Sequence, residues 1–213
     1  MRINILTFIL IIFSLVSYGQ TKGENSIGLD ADYLYPNLDD NQIRDFNYGL
    51  TLHFSKRIEN VKWSIGVGYS TLNLHYGKFT SGNTKENLNK EAYKAQYLNI
   101  PILLSLNNNS NKRFNIKPFG GVIINKVLKY DRIRYFSNTP PEYVKGIEVG
   151  KSEGFTCRAG ISISKPISQK INLNTALFVD YKFSSNMITQ DGRFDMPDNK
   201  ITFGIKMGLD YLL

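Results

Sequence analysis

Chemistry in this sequence would have to be built from few parts. It holds two histidines, His53 and His75, and one cysteine, Cys157. His75 with Ser70 or Thr71 is the one pairing of an imidazole base with a hydroxyl nucleophile that spacing along the chain offers, the parts of a lipid or acyl hydrolase. There is no G-x-S-x-G, no H-E-x-x-H and no phosphate loop. A lone cysteine forms neither an internal disulfide nor a cysteine metal cluster. Asp39-Asp40 and Asp191, Asp195 and Asp198 offer oxygen ligands, but their spacing matches no calcium loop. The expectation is a protein with no catalytic residues, no cofactor and no resident metal, in which His75 is an interfacial or loop side chain.

A second set of polar residues stands out by its phase. Asp30, Asp32, Arg158, Asp180, Lys182, Lys206 and Asp210 all fall on the polar half of an alternating apolar/polar pattern. Four acids stand against three bases, and Lys117 is placed to join them. Such a set serves either an ion path or pairs that fill a narrow interior. Near balance of charge favours structural pairing, because side chains fill the inside of a small barrel.

Those residues need strands to aim them, and period-two alternation recurs eight times. In the first segment Ile27, Leu29, Ala31, Tyr33 and Tyr35 share one face, against Gly28, Asp30 and Asp32. In the second, Phe46, Tyr48, Leu50, Leu52 and Phe54 oppose Asn47, Gly49, Thr51, His53 and Ser55. Trp63, Ile65, Val67 and Tyr69 mark the third, and Leu98, Ile100, Ile102, Leu104 and Leu106 the fourth. The others run roughly over 113–130, 154–165, 171–183 and 200–213. Short connections are expected at Arg57–Lys62, Asn107–Lys112 and Pro166–Lys170, and longer ones after the first strand and near 77–91, 131–153 and 184–199. The alternation of short and long connections is that of membrane barrels, with tight periplasmic turns and larger external loops.

Composition agrees. With 13 Tyr, 13 Phe and 17 Gly, the chain is rich in residues that suit pleated surfaces and turns. The N-terminus reads as a secretory signal peptide over 1–19: Arg2, an apolar run from Ile3 to Val16, then Ser17-Tyr18-Gly19 before Gln20. The fold expected over 20–213 is all-β, an eight-stranded antiparallel up-and-down transmembrane β-barrel in the outer membrane. Tyr33, Tyr35, Tyr48, Tyr181 and Phe203 gather toward the long-loop end, and Phe54, Trp63 and Tyr211 toward the short-turn end, as two interfacial girdles. The formal charge of +8 comes without a basic cluster interleaved with aromatics. It therefore points to anionic lipid headgroups or surface polysaccharide, or to a solubilising excess of lysine, and not to nucleic acid. A soluble lipocalin-like binder of an apolar ligand is the alternative. In that protein the apolar face would line a cavity, and Lys206 and Asp210 would face water.

Tyr97-Leu98-Asn99-Ile100-Pro101-Ile102-Leu103-Leu104 resembles the "YLEIPLLL" strand of the outer-membrane β-barrel proteins of Bacteroidota, often labelled PorT-like. Lys117-Pro118-Phe119-Gly120-Gly121 is similar to that family's next strand, and Phe203 to Tyr211 to its closing strand. Asn99 stands where the family carries an acid, and the chain ends in Leu212-Leu213 instead of an aromatic. The resemblance implies an eight-stranded barrel in the outer membrane and no single activity. Outer-membrane lipid and an envelope protein are the partners expected, with the oligomeric state left open.

Overall fold

The computed structural model describes residues 24–36, 42–44, 47–77, 88–106, 115–136, 140, 142–144, 153–183, 186–189, 192–195 and 201–213. The proposed leader, Asp39-Asp40, Asp191 and Asp198 lie outside them, and Asp195 is described only in its backbone.

Eight long strands form the molecule: β1 Asn25–Pro36, β2 Asn47–Ile58, β3 Val61–Gly77, β4 Leu88–Leu106, β5 Asn115–Phe136, β6 Glu153–Pro166, β7 Ile171–Lys182 and β8 Ile201–Leu212. Each pairs antiparallel with its neighbours in sequence, and β1 also pairs with β8, so the sheet closes. Stepping sideways across the ladders from Ser26 leads through Ser55, Ser64, Leu103, Gly121, Arg158, Asp180 and Thr202 back to β1 at Pro36, ten residues further on. A stagger of ten over eight strands tilts them by roughly 40°, given ~3.3 Å per residue and ~4.8 Å between strands. Such a barrel has room inside for side chains and little else.

The strands near the middle of the chain run longer than alternation predicts. β4 begins at Leu88 and β5 continues to Phe136, so Leu88–Glu91 and Asp131–Phe136, expected within the long loops near 77–91 and 131–153, are ladder. Register shifts between Leu88 and Lys90 and between Gln96 and Tyr97 break the phase there, which hides the strand from a period-two reading. Short strands fringe the same end: Gln42–Arg44 pairs with β3, Glu142–Val144 with β5, and Asn186–Thr189 with Gly192–Asp195. At the other end the β2–β3 connection is tighter than the expected Arg57–Lys62, because Ile58 already pairs with Val61. Glu59 makes that turn in the left-handed region (φ 53°), and the Arg57 Nε donates to its carbonyl at 3.3 Å. Ser168 organises the β6–β7 turn by accepting from the Lys170 and Ile171 amides. The β1–β8 seam closes where the Leu213 amide donates to the Asn25 carbonyl, and beside it the Arg57 Nη1 ties β2 to Glu24 Oε2 at 2.9 Å.

Candidate functional site in the barrel interior

Alternation sends even-numbered residues of β1, β6, β7 and β8 inward, and odd-numbered ones of β2. All seven charged residues singled out by phase point into the barrel. Asp30, Asp180, Asp210 and Arg158 are 5%, 6%, 3% and 7% exposed. They form two groups at different heights.

Toward the loop end, one guanidinium serves two carboxylates. Arg158 grips Asp180 through two bonds, Nε to Oδ1 at 2.7 Å and Nη2 to Oδ2 at 2.9 Å, and its Nη1 reaches Asp32 Oδ2 at 2.7 Å. The planar fork stacks 3.7 Å over the Phe178 ring. Bidentate geometry suits arginine, and stacking covers the face that carries no donor. Gly204 makes room, since a Cβ there would collide with the Phe178 ring. Lys182 sits two positions along the same face from Asp180, its ammonium 5.9 Å over the Tyr97 ring. Two acids and two bases thus balance.

Toward the turn end runs a relay of alternating sign. Lys206 Nζ contacts Asp30 Oδ2 at 3.1 Å; Asp30 Oδ2 contacts His53 Nδ1 at 3.3 Å; His53 Nε2 contacts Asp210 Oδ1 at 3.0 Å; and Asp210 Oδ2 takes Lys62 Nζ at 2.5 Å. Both ring nitrogens of His53 face a carboxylate, the arrangement of an imidazolium, which donates at both. Glycine permits the crossing: a Cβ on Gly28 would strike both the His53 ring and Asp210, and one on Gly208 would strike Asp30.

His53 and Lys62 are the members that sequence reading did not join to the set. His53 falls on the polar face of the second alternating segment, but its partners come from β1 and β8, and only register brings them to it. Lys62 lies inside the expected turn and becomes an inward residue once the turn shrinks. The other chemical candidates separate. Ser70 faces inward and accepts from Asn99 Nδ2 at 2.8 Å, while Thr71 takes the opposite phase. His75 pairs through its backbone with Ala92 and Ile43, and its side chain lies outside the description. Cys157 has the outward phase and is partly exposed. Among the described residues no group of His, Cys, Asp or Glu could hold a metal ion.

The outer face is apolar. Tyr33 stands opposite Tyr48, and Tyr35 opposite Phe203. Tyr181 meets Phe183 edge-on at 5.1 Å. At the other end Tyr211 faces outward, half exposed, and Phe54 packs edge-on to Trp63 at 5.9 Å. Phe54 is 5% exposed, so it supports its neighbour instead of presenting a ring of its own. Tyr35 stands eight residue steps along β1 from the row Phe54–Ile27–Tyr211. At the tilt above they span roughly 20 Å, near the ~25 Å apolar band of such barrels.

No protein-family model and no curated protein matches the sequence. Solved structures do match. A major outer membrane protein from Thermus thermophilus is similar at TM-score 0.57 and 12% identity, over 91% of this chain and 100% of that one. Neisserial surface protein A aligns at TM-score 0.46 and 8% identity, over 91% of this chain and 98% of that one. Ail, the attachment invasion locus protein of Yersinia pestis, aligns at 0.47 and 9%, over 91% and 100%. The chain has the closed, eight-stranded, all-antiparallel barrel fold of outer-membrane proteins.

Proposed function

We propose that this chain is a non-enzymatic integral protein of the outer membrane, exported by its first nineteen residues. Its external loops or periplasmic rim would engage an envelope partner while paired charges fill the lumen. One observation carries the reading: polarity is inverted. Among the described residues, thirty-one large hydrophobic side chains are exposed, including Leu177 at 64% and Leu209 at 50%, against eight buried hydrophobic ones. In water each such side chain forgoes ~1.5–3 kcal/mol of burial. In lipid the same band is the solvated surface, and closure leaves no strand edge unpaired. The resemblance of Tyr97–Leu104 and Lys117–Gly121 to the Bacteroidota barrels supports the same address.

The mature protein is expected in the outer-membrane fraction, migrating faster on a gel before boiling than after. Recovery as a soluble periplasmic protein would overturn the reading. Against the lipocalin-like alternative, which needs Asp210 in water and the apolar face inside, Asp210 is buried while Leu209 is half exposed. Ile205→Cys should accordingly react with a membrane-restricted probe. For the absence of catalysis, His75→Ala is expected to leave lipid profiles unchanged, and loss of an acyl-hydrolase activity in that variant would refute it. A pull-down from native outer membranes searches for the partner.

A further inference from the structure

The relay at the turn end does not use all the positive charge around it. A cavity of about 70 Å³ lies beside it, lined by His53, Ser55, Lys62, Ser64, Lys117, Lys206 and Asp210 among others. Lys62 and Lys206 are committed to Asp210 and Asp30. Lys117, which also lines the cavity, makes no ion pair among the described residues. The two carboxylates on the wall are thus outnumbered by three ammonium groups, with the His53 ring held between those same carboxylates.

The hydroxyls point the same way. Ser55 is 0% exposed, and its Oγ has no hydrogen-bond partner. A buried hydroxyl without a partner is unfavourable, so a group that accepts from it is favoured. Ser64 stands directly across the ladder from Ser55. Ser105 and Ser162 also line the space, their hydroxyls donating to the backbone carbonyls of Lys62 and Lys117. Charged and hydroxyl groups share the lining with Leu103, Leu104 and Phe119, and the space is too small for an organic metabolite but large enough for several waters or one tetrahedral oxyanion.

We propose that the turn end of the lumen is a binding site for a small inorganic oxyanion of phosphate or sulfate size, held by the Lys117 ammonium and the Ser55 hydroxyl. The inference rests on the barrel closing as described, and it holds whether or not the loops engage a partner. A bound oxyanion would add the negative charge that the relay lacks and would close the periplasmic mouth.

The test is calorimetric titration of the full mature chain, folded in detergent, with phosphate, sulfate and chloride at constant ionic strength. Saturable binding of phosphate or sulfate at one site per barrel is expected, and chloride should bind far more weakly. Lys117→Gln should weaken binding about tenfold or more, as loss of a charge-assisted contact does. Ser55→Ala should weaken it severalfold and serves if the first variant fails to fold. Lys126→Gln, an exposed outward residue, should leave it unchanged. Absence of saturable binding, equal binding of chloride, or full affinity in both Lys117→Gln and Ser55→Ala would overturn the proposal. A protein that folds as a barrel yet binds no oxyanion refutes this site and leaves the membrane assignment standing.

Discussion

The two halves of the lumen solve one problem differently. Toward the loops, Arg158 holds Asp32 and Asp180 in short, partly bidentate bonds with all three side chains at or below 9% exposure. Toward the turns, the relay from Lys206 to Lys62 spreads over four contacts, and its last ammonium is 24% exposed. One half is a compact, charge-balanced clamp with a small cavity of about 30 Å³ against Asp32 and Arg158. The other is an open chain with charge to spare and a cavity beside it. Burial sets the difference. The carboxylates of the two halves are equally enclosed, but their cations are not: Arg158 is 7% exposed, Lys206 14% and Lys62 24%, and a cation near water tolerates a looser arrangement than a desolvated one.

The contrast makes graded predictions for the barrel folded in detergent or lipid. Arg158→Met leaves Asp32 and Asp180 without their guanidinium and should cost about 3–5 kcal/mol in denaturant unfolding. A loss below about 1 kcal/mol would erase the distinction between the halves. Gly28→Val drives a side chain into the His53–Asp210 contact and should cost about 1–3 kcal/mol. Gly120→Ala is its control: the nearest atom to a Cβ there is the Arg158 carbonyl at 3.4 Å, so a change within about 0.5 kcal/mol is expected. Lys62→Gln should cost about 1 kcal/mol or less, and that difference should shrink in high salt because the ammonium is partly solvated. A salt-independent loss would mean that the turn end is as enclosed as the clamp.

Outside, the asymmetry runs the other way. The aromatics at the loop end form a belt of exposed rings from Tyr48 through Tyr33, Tyr35 and Phe203 to Tyr181. At the turn end Phe54 hides against Trp63 and leaves fewer rings outward. Aromatics prefer the headgroup depth, where a ring meets lipid and a hydroxyl meets water.

Alternation alone carried the fold a long way. Eight apolar stripes, their phase, and the choice of which charges face inward follow from a period of two, because a strand sends successive side chains to opposite faces. Ile201 to Leu213 shows this most plainly, with every second residue apolar and outward. The strand ends were less legible: bulges in the β4–β5 ladder shift the phase, and a hairpin as tight as Ile58–Val61 leaves no turn signature of glycine. The pairing of charges was not legible at all. His53, Asp30 and Asp210 are scattered along the chain and meet only because β2, β1 and β8 are adjacent in a particular register. The order of residue types was enough to choose which side chains enter the lumen. The closed ring, with its stagger of ten, decided which of them touch, because contact across a barrel depends on height, and height depends on tilt and register together.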